Sequence, residues 1–97
     1  MIDNYLDVII LSKLLKNDLT SYNIYYRINM FKEIKMVYIY LCLKELIKDK
    51  LITSYFIEDN NIRRKYYKIS GRGKDYLKAF LKEKNILDNL LGDANGK

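Results

Sequence analysis

Between Leu51 and Ile69 the chain stops repeating its apolar residues every three or four positions. It runs instead in two short stretches rich in β-branched and aromatic residues, LITSYFIE and IRRKYYKI. Asp59, Asn60 and Asn61 lie between them and tolerate positive φ, so the segment reads as a β-hairpin. The flanks keep helical spacing, and a mainly α chain with one small hairpin (α+β) is the expected class.

Upstream of the hairpin there are three amphipathic segments. Leu6, Ile9, Ile10 and Leu14, with Leu11 and Leu15 beside them, step by three and four after Asp3, a candidate N-cap; they predict a first helix over Asn4–Lys16. Thr20 or Ser21 can cap a second helix whose stripe is Tyr22, Tyr25, Ile28 and Phe31, with Ile24 alongside. From Ile34 to Lys48, Met36, Ile39, Tyr40, Leu43, Leu46 and Ile47 form one face of a third helix, with Lys35, Tyr38, Cys42, Glu45 and Asp49 on the other. At 1.5 Å per residue this helix is roughly 22 Å long, enough to lie in a major groove about 12 Å wide.

Downstream, Ser70 can cap a last helix over Gly71–Leu91, with Leu77, Phe80, Leu81, Ile86, Leu87, Leu90 and Leu91 as its apolar seam. Gly92–Lys97 reads as a flexible tail. Three helices, a hairpin and a long last helix are the order of a winged helix-turn-helix: the first two helices back the third, whose polar side faces outward beside the hairpin. Residues 1–70 form the expected DNA-binding domain and 71–91 the expected dimerisation helix.

Ninety-seven residues suit one small domain, which buries only roughly 60–65 % of its unfolded surface, so a second copy favours stability. The net charge of +6 is unevenly placed. Residues 1–30 carry three basic and three acidic groups, while residues 31–97 carry fifteen basic against nine acidic. A polyanionic partner for the downstream part is the consequence.

Site chemistry for catalysis is missing. The chain has no His, the commonest general base and metal ligand, and its single Cys42 has no imidazole to activate it. The G-R-G at Gly71–Gly73 lacks the third glycine of a dinucleotide fingerprint. No catalytic residue, metal or cofactor is expected. One cysteine, no secretory-type start and no apolar run near ~18 residues point to a cytoplasmic protein away from membranes.

Three stretches carry a family likeness: DLTSYNIYYRI, YIYLCLKELIKDKLI and RRKYYKISGRGKDYL, the last containing Tyr67-x-x-Ser70-x-x-Gly73 after three basic residues. Together, over Ile9–Leu81, the chain resembles the PadR-like transcriptional regulators. Lys50 stands where that family commonly has a glycine, Leu41 where it often has a proline, and Lys32-Glu33-Ile34-Lys35 where a Ser or Thr opens the third helix. The resemblance implies a homodimeric repressor joined through the last helix. The family includes members that respond to phenolic acids or flat drugs; with no Trp in this chain, a small-molecule effector has no residue to support it.

The expected DNA-contact residues are Lys32, Lys35 and Tyr38 at the start of the third helix, with Asn60, Asn61, Arg63, Arg64 and Lys65 on the hairpin. Lys35 can donate to guanine O6 and N7 and Tyr38 can reach a phosphate or base, while the three hairpin cations can follow a phosphate strand. The same cations also suit an edge that resists strand pairing with other chains. The expected dimer seam is Phe80, Leu81, Leu87, Leu90 and Leu91, met by Leu6, Ile10 and Leu14, which can pack on the chain's own core as well. The target would be a roughly palindromic duplex operator. The alternative is a protein–protein interaction module on a winged-helix scaffold, to which the apolar Leu41 and Cys42 near the groove face would lend themselves.

Overall fold

A computed structural model describes residues 5–94, with the side chains of the last helix described as far as residue 85. The elements are α1 (Leu6–Lys16), α2 (Ser21–Asn29), α3 (Met36–Lys48), β1 (Ile52–Asp59), β2 (Ile62–Ile69) and α4 (Gly71–Ala94). The expected type and order hold for all six, a winged helix-turn-helix. The last helix runs three residues past Leu91; Asp3, the expected first cap, lies outside the described residues.

The core explains why these stripes pack. Leu6, Ile10, Leu11 and Leu14 of α1, Ile24 and Ile28 of α2, and Ile39, Leu43 and Leu46 of α3 are buried together with Ile52, Tyr67 and Ile69 of the hairpin. Each fully buried aliphatic side chain contributes about 1.5–3 kcal/mol of transfer free energy. α1 is the central element, touching α2, α3, β2 and α4. Leu6, Ile10 and Leu14 retain at most 2 % of their surface within one chain. They have nothing left to offer a second copy, which corrects their assignment to the dimer seam.

On α2 the inward stripe is narrower than its aromatic content suggests. Ile24 and Ile28 are buried and Tyr25 packs at their edge, but Tyr22 is exposed and Phe31, beyond the helix end, is 83 % exposed. Thr20 accepts a hydrogen bond from the Asn23 N–H and so closes the first turn of this helix.

The end of α3 fixes where the hairpin starts. The Leu51 N–H donates to the Leu46 carbonyl and the Lys50 N–H to the Ile47 carbonyl, both at 2.9 Å, a Schellman cap with Lys50 left-handed at φ 62°. This is the position where the resemblance calls for glycine. Ser70 then couples three elements: its hydroxyl donates to the Lys50 carbonyl and accepts from the Gly73 N–H at the start of α4. Gly73 has no room for a side chain, since a Cβ there would collide with the Leu51 carbonyl oxygen and sit 2.8 Å from Ile69 Cγ1. The Tyr76 hydroxyl donates to Asp7 at 2.9 Å and the Tyr5 and Phe80 rings meet edge-on at 5.6 Å, so the first half of α4 is tied along α1.

The strands pair antiparallel from Ile52↔Ile69 to Asp59↔Ile62, leaving Asn60 and Asn61 as a two-residue turn. Both have positive φ, 51° and 65°, the signature of a type I′ hairpin turn that matches strand twist. Leu19 bridges the free edge of β2 through paired hydrogen bonds with Tyr67, fastening the α1–α2 connection to the base of the hairpin.

Candidate nucleic-acid interface

The outward face of α3 follows from 100° of turn per residue. With Ile39, Leu43 and Leu46 buried, the opposite arc holds Val37, Leu41, Lys44, Glu45 and Lys48, with Tyr40 at its edge, all exposed. Tyr38 and Cys42 lie about 100–140° away from Val37 and are half-buried against the core. Of the side expected to face outward, Tyr38 and Cys42 are therefore turned toward the body, while Lys35, Glu45 and Asp49 are exposed. Tyr40, expected on the inner face, is 50 % exposed instead. Lys35 is exposed at the N-cap of α3 and Lys32 is exposed in the turn before it.

The angle at which α3 leaves that turn is set by a residue that sequence spacing does not flag. The Asn29 side-chain amide donates to the carbonyls of Tyr25 and Ile34, at 2.8 and 3.1 Å, and its oxygen accepts from the Ile34 N–H at 3.0 Å. One half-buried carboxamide thus binds the end of α2 to the approach of α3, whose own N-cap, Lys35, makes no side-chain capping bond.

Strand alternation divides the hairpin cations between two faces. Arg63 and Lys65 project on the same side as Phe56 and Tyr67, while Arg64 pairs in register with Ile57 on the reverse. The Arg63 guanidinium lies 3.9 Å from the Phe56 ring centroid, and Lys65 Nζ sits 5.9 Å from Phe56 and 5.5 Å from Tyr67. Asn60 and Asn61 form the turn just beyond. On the reverse face Tyr55 stacks on Tyr66 at 5.8 Å and donates a 2.5 Å hydrogen bond to Asp18, bracing the hairpin against the α1–α2 connection. This bond to a carboxylate raises the Tyr55 phenol above its usual 10.0.

Tyr40 ties α3 to α2. Its oxygen accepts a hydrogen bond from the Ser21 hydroxyl at 3.3 Å, at the start of α2. Burial first, and then the neighbouring Tyr40, push the Tyr67 phenol up. Tyr67, Lys65, Phe56 and Arg63 form a run of ring–cation contacts from the base of the hairpin toward its tip. Tyr22 and Tyr26 extend the surface along α2, their hydroxyls 2.9 Å apart and their rings edge-on at 4.7 Å. Sequence reasoning missed Val37, Tyr40 and Asn29; for the first two, the signal was the phase of Ile39, Leu43 and Leu46.

A PadR family transcription regulator from hypervirulent Clostridium difficile R20291 superposes with a TM-score of 0.86 at 31 % identity, across 96 % of this chain and 100 % of that one. The chain belongs to the PadR family of transcription regulators. The PadR fold recurs in Bacillus subtilis PadR, whose structure was solved in complex with operator DNA; the TM-score is 0.71 at 29 % identity, over 80 % of this chain and 47 % of that one. An uncharacterized protein of Lysinibacillus sphaericus is 35 % identical over 91 % of this chain and 89 % of its own length. No protein-family model matches the chain.

The seam expected for this PadR chain along α4 divides at the edge of the body. Phe80 is half-buried against Tyr5, whereas Leu81 is 49 % exposed and residues 82–85 are exposed with it. The side chains of Leu87, Leu90 and Leu91 lie outside the described residues. Among the described residues, no helix is long and apolar enough to cross a membrane.

Proposed function

We propose that this PadR-family chain is a cytoplasmic, homodimeric repressor that binds duplex DNA. Each subunit lays the outward arc of α3 in a major groove and sets the Arg63–Lys65 face of the hairpin against the flanking backbone. One observation carries this reading: the hairpin packs against α3 through β1, and Arg63 and Lys65 share one of its faces, held on the Phe56 and Tyr67 rings. Bacillus subtilis PadR, solved with operator DNA, supports it by likeness. Lys35, Lys44 and Lys48 supply charge along the groove edge, and Arg64 serves the outer side of the hairpin. Asn60 and Asn61 contribute mainly as the turn that projects these cations.

Two subunits joined through α4 would present two α3 helices about one duplex turn (~34–36 Å) apart, matching a roughly palindromic site. Leu81, exposed on a helix that has left the body, supports α4 as the contact. Light scattering on the whole chain should give twice the 11.6 kDa chain mass, and Leu81→Asp should shift it toward one.

A mobility shift with random-sequence duplex at low salt tests DNA binding. Retardation is expected; its absence with a folded protein favours the second reading, a protein-interaction module. That alternative rests on Val37 and Leu41, two exposed aliphatic side chains in the middle of the arc.

A further inference from the structure

Val37 and Leu41 sit one turn apart at the centre of the α3 arc, 54 % and 46 % exposed. They contribute little to the core, which Ile39, Leu43 and Leu46 close from the other side. Nor do they attract phosphate. Of the side chains that read guanine or adenine through two hydrogen bonds, Arg, Asn and Gln do not occur anywhere in MVYIYLCLKELIK, and its two lysines, Lys44 and Lys48, come only in the later turns. On the floor of a major groove, the group that an aliphatic side chain recognises is the C5-methyl of thymine. Lys44 and Lys48 follow the pair along the same arc, against the one carboxylate of Glu45, and select a polyanion as the occupant of this apolar centre.

We propose that Val37 and Leu41 read thymine methyl groups, and that the preferred half-site carries thymines where the first two turns of α3 face the bases. Their separation along the helix is about 6 Å, close to two base-pair steps of ~3.4 Å, so the two contacted thymines lie within about two steps of each other. The inference rests on α3 entering a major groove and adds what it recognises there.

The test uses the full-length chain and duplexes that it selects from a random-sequence pool, each resynthesised with deoxyuridine in place of thymidine. That exchange removes the methyl and leaves every hydrogen-bonding edge intact. The wild type should bind the uracil form roughly three- to fourfold more weakly per contacted methyl. Val37→Ser with Leu41→Ser should bind both forms equally, while Val37→Ile should keep the difference; both positions are exposed, and circular dichroism checks the fold. Equal affinity of the wild type for both forms overturns the proposal, as does a uracil penalty that persists in the double variant. Selection of no duplex at all overturns DNA binding itself, a result distinct from either.

Discussion

The Arg63 guanidinium lies over Phe56, 3.9 Å from its ring centroid, although Phe56 is half-exposed near the hairpin tip. An aromatic residue left in water beside a cationic strand has a purpose if it holds that cation in place. Such a contact is worth about 0.5–1 kcal/mol at an exposed site. Phe56→Ala should therefore weaken duplex binding roughly two- to fivefold with little change in stability. In an Arg63→Ala background the same substitution should have almost no further effect, a coupling read from the double-mutant cycle.

Lys50 pays a conformational penalty that its position does not require. A non-glycine residue in the left-handed region costs roughly 1–2 kcal/mol, part of which glycine returns through its greater freedom when unfolded. Lys50→Gly should raise stability by about 0.5–1 kcal/mol in urea denaturation, with an unchanged m-value.

Asn29 makes three hydrogen bonds from one half-buried side chain. Asn29→Ala leaves the Ile34 N–H and two carbonyls to find other partners, and should cost about 1–3 kcal/mol. Because this amide sets the entry of α3, duplex affinity should fall further than the stability loss accounts for. Titrations well below the melting temperature check this.

The helices and the hairpin were legible because burial imposes period 3.6 on one and period 2 on the other, and Ser70, Thr20 and the Asn60-Asn61 turn sit where local chemistry requires them. The phase of the α3 face was not. Tyr38 and Tyr40 are equivalent on a hydropathy scale, and a tyrosine can cover a core edge or stand in water while its hydroxyl stays wet. Leu6, Ile10 and Leu14 pattern alike for an own core and for a partner; only the packing of α1 among four neighbours decides between them. Asn29 left no trace, since a carboxamide tying off a turn has no periodicity.

Cys42 tests the inward turn of the Tyr38–Cys42 side. Burial, followed by the charges of Asp7 and Glu45, pushes its thiol from an ordinary 9.0 up to about 12. At about pH 8 its alkylation should be much slower than that of a free thiol, and denaturant should restore the rate. The linkage sign follows. Below about pH 9 both states keep the proton and the contribution to stability is full; as pH rises from 9.0 toward about 12 the unfolded chain releases it first, and stability declines.

The salt dependence of duplex binding tests the central claim most directly, measured by fluorescence anisotropy between about 50 and 200 mM salt for the wild type and for Arg63→Ala with Arg64→Ala. The affinity of the wild type should fall steeply on a log–log plot, and the double variant should bind every sequence more weakly with a slope shallower by about 1 for each phosphate contact removed. Flat wild-type binding across that range, or a folded double variant with unchanged affinity and slope, contradicts a duplex held between α3 and the hairpin.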